Sequence, residues 1–138
     1  MATYLADKSA LTRRETRPEV RQVIEPLLLS GAIATCGIVD SELLYSASSP
    51  AVYASLAVSL RALPRVPVTE AIVDRALEVQ ARLAERSRHR AVPLPDLIVA
   101  ACAESAGLTV LHYDADYDRI AEITGQRTQW VMPRGSID

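Results

Sequence analysis

Short apolar, β-prone runs alternate along this chain with longer segments of helical periodicity, and this alternation constrains the fold more than any other feature. Residues 3–6, 32–36, 108–111 and 128–132 read as strands. Pro18 to Ser30 predicts a helix with Val20, Val23, Ile24, Leu27 and Leu28 on one face and Gly31 as its cap. Pro26 lies inside it and should kink or end it. Gly37 to Ala47 is helical in pattern, and Ser49-Pro50 opens a helix whose stripe is Val52, Leu56, Leu60 and Leu63, stopped by Pro64 and Pro67. Thr69 suits the cap of a helix with Ile72, Ala76, Val79 and Leu83 on one stripe. Pro95-Asp96 begins a nearly all-apolar helix to Ala106, which belongs in the interior, and Tyr117 to Thr124 forms a short one. Strands separated by helices imply an α/β fold, with a central, mostly parallel sheet of about four to five strands flanked by helices on both faces. The expected domain covers residues 1–133, with 134–138 as a loose tail.

Acidic residues fall where these apolar runs end. Asp7 follows the first, Asp96 opens the apolar helix, and Asp114 and Asp116 follow the third strand. Burying a carboxylate beside a core costs several kcal/mol unless something compensates it. Glu42 lies beside the apolar pair Leu43-Leu44, at the edge of a buried face. In parallel sheets ligands bind outside the carboxyl ends of the strands, so these segments converge there. Mutually repelling carboxylates need a cation or must stay protonated. A divalent ion with oxygen ligands, Mg²⁺ or Mn²⁺, is the economical compensation, and it would activate water for phosphodiester hydrolysis.

Charge distribution adds to this. Net charge is −2, yet residues 82–90 carry four Arg against one acid, while 96–122 carry six acids against one Arg. Arg88 and Arg90, with Lys8 and Ser9 nearer the acids, are the candidate contacts for a nucleic-acid backbone. The bland alternative is a solvated, Arg-rich helix end. Cys36 and Cys102 lie in apolar stretches and read as buried free thiols, consistent with a cytoplasmic protein. No apolar run is long enough to span a bilayer, and no signal peptide is evident. The Asp114–Asp118 run fails as a calcium loop because Arg119 and Gly125 stand where Gly and Glu are needed. His89 and His112 have no metal spacing, and no Gly-rich phosphate loop is present.

Asp7-Lys8-Ser9, Glu42, Asp96 and the run His112-Tyr113-Asp114-Ala115-Asp116-Tyr117 resemble the acidic motifs of the PIN-domain nucleases. Length and layout resemble the VapC toxins of bacterial VapBC toxin–antitoxin modules. The resemblance implies a Mg²⁺- or Mn²⁺-dependent endoribonuclease cutting a tRNA or rRNA loop, dimeric, and inhibited by a VapB-type antitoxin. Asp7 and Asp96 would be direct metal ligands, Glu42 and Asp114 direct or water-mediated ones, and Asp116 would sit at the rim, positioning a second ion or the attacking water. Two departures stand out. Lys8 replaces a small polar residue, and His112 and Tyr117 stand where the family has Thr or Ser and Phe. Competing readings are a metal-dependent DNA nuclease or phosphatase, and a non-catalytic regulatory domain whose acidic pocket holds a partner's basic side chain. The antitoxin is expected to wrap residues 38–63, where the Val52–Leu63 stripe offers a groove, and to point a basic side chain at Asp7 and Asp96.

Overall fold

A computed structural model describes residues 1–137. Its five strands are β1 (Tyr4–Ala6), β2 (Ile33–Cys36), β3 (Arg65–Val66), β4 (Thr109–His112) and β5 (Thr128–Trp130). They form one sheet in the order β3-β2-β1-β4-β5. Every neighbouring pair is parallel. The helical segments are α1 (Lys8–Leu11), α2 (Arg13–Thr16), α3 (Pro18–Leu29), α4 (Gly37–Tyr45), α5 (Pro50–Arg61), α6 (Glu70–Glu85), α7 (Leu94–Ser105) and α8 (Asp116–Thr124).

The sheet divides the core as a period-two pleat requires. Leu5, Ala34 and Val110 face one side with the buried stripes of α6, α7 and α8; Ala6, Ile33 and Leu111 face the other with Ala10, Val20 and Ile24. Helix α7 is buried continuously from Asp96 to Ala103, in keeping with its all-apolar sequence. The Thr69 hydroxyl caps α6 by accepting from the Ile72 N–H at 3.3 Å. Cys36 and Cys102 are free and buried.

Three expectations are corrected. Helix α3 runs through Pro26 to Leu29. Gln22 and Pro26 are both exposed, so the carbonyl deprived of its donor lies on the solvent side. Strand β3 lies between two prolines that the sequence presents only as a helix stop; Thr35 N–H donates to the Pro64 carbonyl at 2.9 Å, and Thr35 and Cys36 register with Arg65 and Val66. The chain after Pro133 is tied down through Ile137. The Tyr113 hydroxyl donates to the Ile137 carbonyl at 2.6 Å and accepts from the N–H groups of Gly135 and Ile137 at 3.0 and 3.1 Å. Asp138, the last residue of the expected tail, lies outside the described residues.

The strand order reverses direction between β1 and β4, so the crevice at their carboxyl ends is where such a sheet binds ligands. Asp7 N–H donates to the Leu111 carbonyl at 2.9 Å, which closes the β1 end against β4.

Candidate metal centre

Asp7 leaves β1 and caps α1, its Oδ2 accepting from the Ser9 N–H at 3.0 Å. Its Oδ1 accepts from the Tyr117 hydroxyl at 2.7 Å. Asp7 is 1% exposed and Asp96 6%. Asp96 occupies the first turn of α7, where the helix dipole favours a negative charge. After β4, Asp114 Oδ1 accepts from the Asp116 N–H at 2.9 Å, a local turn that leads into α8. Asp116 in turn accepts from Arg119 at 2.7 Å.

One carboxylate oxygen each from Asp96, Asp114 and Asp116 lies within 4.8 Å of the others. Asp116 is thus a member of the central group rather than its rim. Asp7 adjoins it: burial pushes the Asp96 carboxyl up to about 8, with the charge on Asp7, a hydrogen bond to Asp116 and the charge on Asp114 adding to the rise. Burial likewise raises Asp114, with Asp116 and Asp7 contributing. Glu42 connects less directly. It pairs with Lys8 at 3.0 Å, and that bond raises the Lys8 ammonium, with smaller contributions from Asp7 and Asp96. Glu42 Oε1 is buried without a hydrogen-bond partner.

Lys8 is therefore internally paired, half exposed beside the acids. The Ser9 hydroxyl accepts from the Tyr113 N–H at 2.9 Å and so fastens α1 to the end of β4. Arg88 and Arg90 lie exposed between α6 and α7, with no ion-pair partner among the described residues. Asp118 is half exposed and accepts from the Trp130 indole at 3.2 Å.

Sequence reasoning missed two groups. His112, which has no metal spacing in the sequence, is fully buried in β4; its Nδ1 accepts from the Asp114 N–H at 3.1 Å. Burial lowers it to about 4, so the ring is neutral at physiological pH. Tyr117 is also fully buried, and its phenol is raised well above the usual range, chiefly by burial and then by Asp7. A hydroxyl at a position otherwise suited to a core aromatic was the available signal. Asp40 is a third buried acid, held by the Thr35 hydroxyl at 2.7 Å and by an ion pair with Arg65; this bracing ties β3 to α4, the helix that carries Glu42.

The donor set is hard oxygen, which suits Mg²⁺ or Mn²⁺. The fit is supported by the structure: among the described residues Lys8 pairs with Glu42 and Arg119 with Asp116, and Asp96 is driven toward its neutral form by its surroundings.

The PIN domain family matches residues 4–123. Ribonuclease VapC51 of Mycobacterium tuberculosis (strain ATCC 25618 / H37Rv) is 46% identical over 135 residues, covering 98% of this chain and 97% of its own. Ribonuclease VapC18 of the same strain is 45% identical over 136 residues, covering 97% and 98%. Among solved structures, a chain of DNA-bound VapBC from Salmonella typhimurium superposes with a TM-score of 0.74 at 22% identity, covering 96% of this chain and 100% of that one. A chain of VapBC2 from Rickettsia felis, bound to a promoter DNA fragment, gives 0.73 at 17% identity, covering 93% and 98%. These two likenesses establish the shared fold. Matched over nearly its whole length by VapC proteins, and carrying its acids at the crevice of the shared fold, the chain belongs to the PIN-domain family and, within it, to the VapC group.

Proposed function

We propose that this protein is a metal-dependent endoribonuclease, the toxin of a VapBC-type module, acting in the cytoplasm on a single-stranded loop of tRNA or rRNA. The observation that carries the reading is the convergence of Asp96, Asp114 and Asp116 oxygens within 4.8 Å, with Asp7 beside them. Asp7, Asp96, Asp114 and Asp116 would hold Mg²⁺ or Mn²⁺, with Glu42 through its unpartnered Oε1. When bound, such an ion supplies an activated water and stabilises charge on the phosphodiester oxygens. The chain's own contribution is orientation: β1, β4 and the rigid α7 fix the carboxylates, while Arg119 restrains Asp116. Lys8, half exposed, can turn from Glu42 toward a phosphate, and Arg88 and Arg90 supply a positive strip for the backbone. An unstacked loop gives the crevice access to a phosphodiester that a helix would hide. The names of the relatives support ribonuclease activity.

The partner reading rests on a cavity of about 380 Å³ whose lining includes Leu11, Leu28, Leu43, Val52, Leu56 and Leu60. Of the Val52–Leu63 stripe only Leu60 is buried, so most of it is free to receive an apolar segment of a VapB-type antitoxin. A basic side chain from that partner would enter the acidic crevice as a surrogate cation. The solved VapBC complexes support a toxin–antitoxin pairing, and a two-fold homodimer is the expected assembly.

The test is cleavage of structured RNA by purified protein with Mg²⁺ or Mn²⁺. Cleavage should stop with chelator and in Asp7→Asn. Metal-dependent cutting of DNA alone would replace this reading with a DNA nuclease. Tight binding of a basic partner with no cleavage at all would replace it with a regulatory domain.

A further inference from the structure

We propose that Tyr117 and His112 form a buried layer that positions two carboxylates of the crevice, Tyr117 holding Asp7 and His112 holding the turn at Asp114. The inference rests on the metal-site reading above.

The hydroxyl of Tyr117 is the informative atom. Tyr117 and His112 are both 0% exposed. Phenylalanine would fill the same core volume at position 117, whereas a phenol brings a polar group that must recover its lost hydration through a hydrogen bond. It does so on Asp7 Oδ1 at 2.7 Å, while the Ser9 N–H takes Oδ2 at 3.0 Å. Two donors from different elements thus clamp both oxygens of one carboxylate and leave each oxygen a lone pair for a ligand. Carboxylates that bind metals are oriented by outer hydrogen bonds of this kind.

His112 acts on the other strand. Its Nδ1 accepts from the Asp114 N–H at 3.1 Å. This is the same residue-to-residue-plus-two contact that a Ser, Thr, Asn or Asp side chain makes at a turn. With Nδ1 accepting, the hydrogen-bond network assigns the proton of the neutral ring to Nε2, which is buried without a partner. The histidine ring packs 5.0 Å from the Tyr117 ring and 4.9 Å from that of Trp130. Asp7, at the end of β1, and Asp114, after β4, are therefore held from one aromatic layer beneath the point where the strand order reverses.

Tyr117→Phe removes the hydroxyl and keeps the ring. Mn²⁺ binding, followed by titration calorimetry or by loss of the free-ion electron-resonance signal, should weaken about tenfold. The metal concentration giving half-maximal RNA cleavage should rise by the same factor. His112→Asn retains an oxygen acceptor for the Asp114 N–H and should stay within about threefold of the parent, whereas His112→Leu should lose about tenfold. Unchanged Mn²⁺ affinity in Tyr117→Phe, with only a lower melting temperature, would overturn the role of Tyr117. Weakened Mn²⁺ binding in a folded His112→Asn protein would reduce His112 to packing, whatever happens to the leucine variant. A parent protein that binds no Mn²⁺ would be a different failure: it would overturn the metal-site reading, and the positioning layer with it.

Discussion

Helices α5 and α7 are each twelve residues long, carry proline in the first turn and are mostly apolar, yet they occupy opposite environments. Helix α7 buries every residue from Asp96 to Ala103. In α5 only Leu60 is buried, while Val58 is 71% exposed and Tyr53 50%. Composition alone would give both the same fate. The difference lies in what surrounds them: α7 lies among α4, α6, α8 and the sheet, whereas α5 packs chiefly on α4. One helix is a rigid mount for a carboxylate, as a precise site requires. The other leaves apolar surface uncovered, of the kind that marks a contact with another chain.

The sharpest way to break this contrast is to hollow out α7. Leu97 is 1% exposed, and Leu97→Ala should cost about 2–5 kcal/mol in denaturant unfolding. A loss as small as that of a surface change would show that α7 is not the structural mount assigned to it.

Next in size is Asp96→Asn, one residue away on the same helix. It should lower RNA cleavage by more than about a hundredfold. Metal-free stability should hold or rise, because burial and the neighbouring acids oppose ionisation of Asp96. A steep fall in melting temperature would instead make Asp96 a structural residue.

A third test uses pH without metal. The Asp96 carboxyl is raised to about 8 from its ordinary 3.8. Between these values the folded chain binds a proton that the unfolded chain has released. This contribution to stability is complete below about pH 4 and is lost as pH rises through about 8. The parent melting temperature should therefore fall between pH 6 and 9 more than that of Asp96→Asn, and added Mn²⁺ should reduce the difference. Parallel curves would remove Asp96 as the source.

The smallest effect belongs to α5. Val58→Ser should change the stability of the isolated chain by no more than about 0.5 kcal/mol. A larger loss would mean that α5 is part of the core.

Most of the sheet and α7 were legible in the sequence because their apolar periods are strong and their ends are marked by Gly, Pro or Asp. Strand β3 was not. Two residues cannot display a period of two, and the flanking prolines advertise a break. Its assignment comes from pairing with β2 and from the bridge of Arg65 to Asp40, contacts between segments far apart in sequence. Pro26 misled for a related reason: whether a helix survives proline depends on where the freed carbonyl points. The acids of the candidate site were all visible one by one. Their ranking was not, since the inclusion of Asp116 in the central group depends on the turn in which it accepts Arg119 and follows Asp114. The partners of His112 and Tyr117 were hidden because burial of a polar ring atom leaves no periodic trace.

The short outer strands carry a consequence of another kind. The sheet ends in two-residue β3 on one side and three-residue β5 on the other, and Pro64 and Pro67 flank β3 without an N–H to offer. A polypeptide seeking to extend the sheet by strand addition finds too few free backbone groups in register at either margin. Recruitment of another chain is thereby channelled to side-chain surfaces on the helices, and runaway edge-to-edge polymerisation is discouraged by the same economy of strand length.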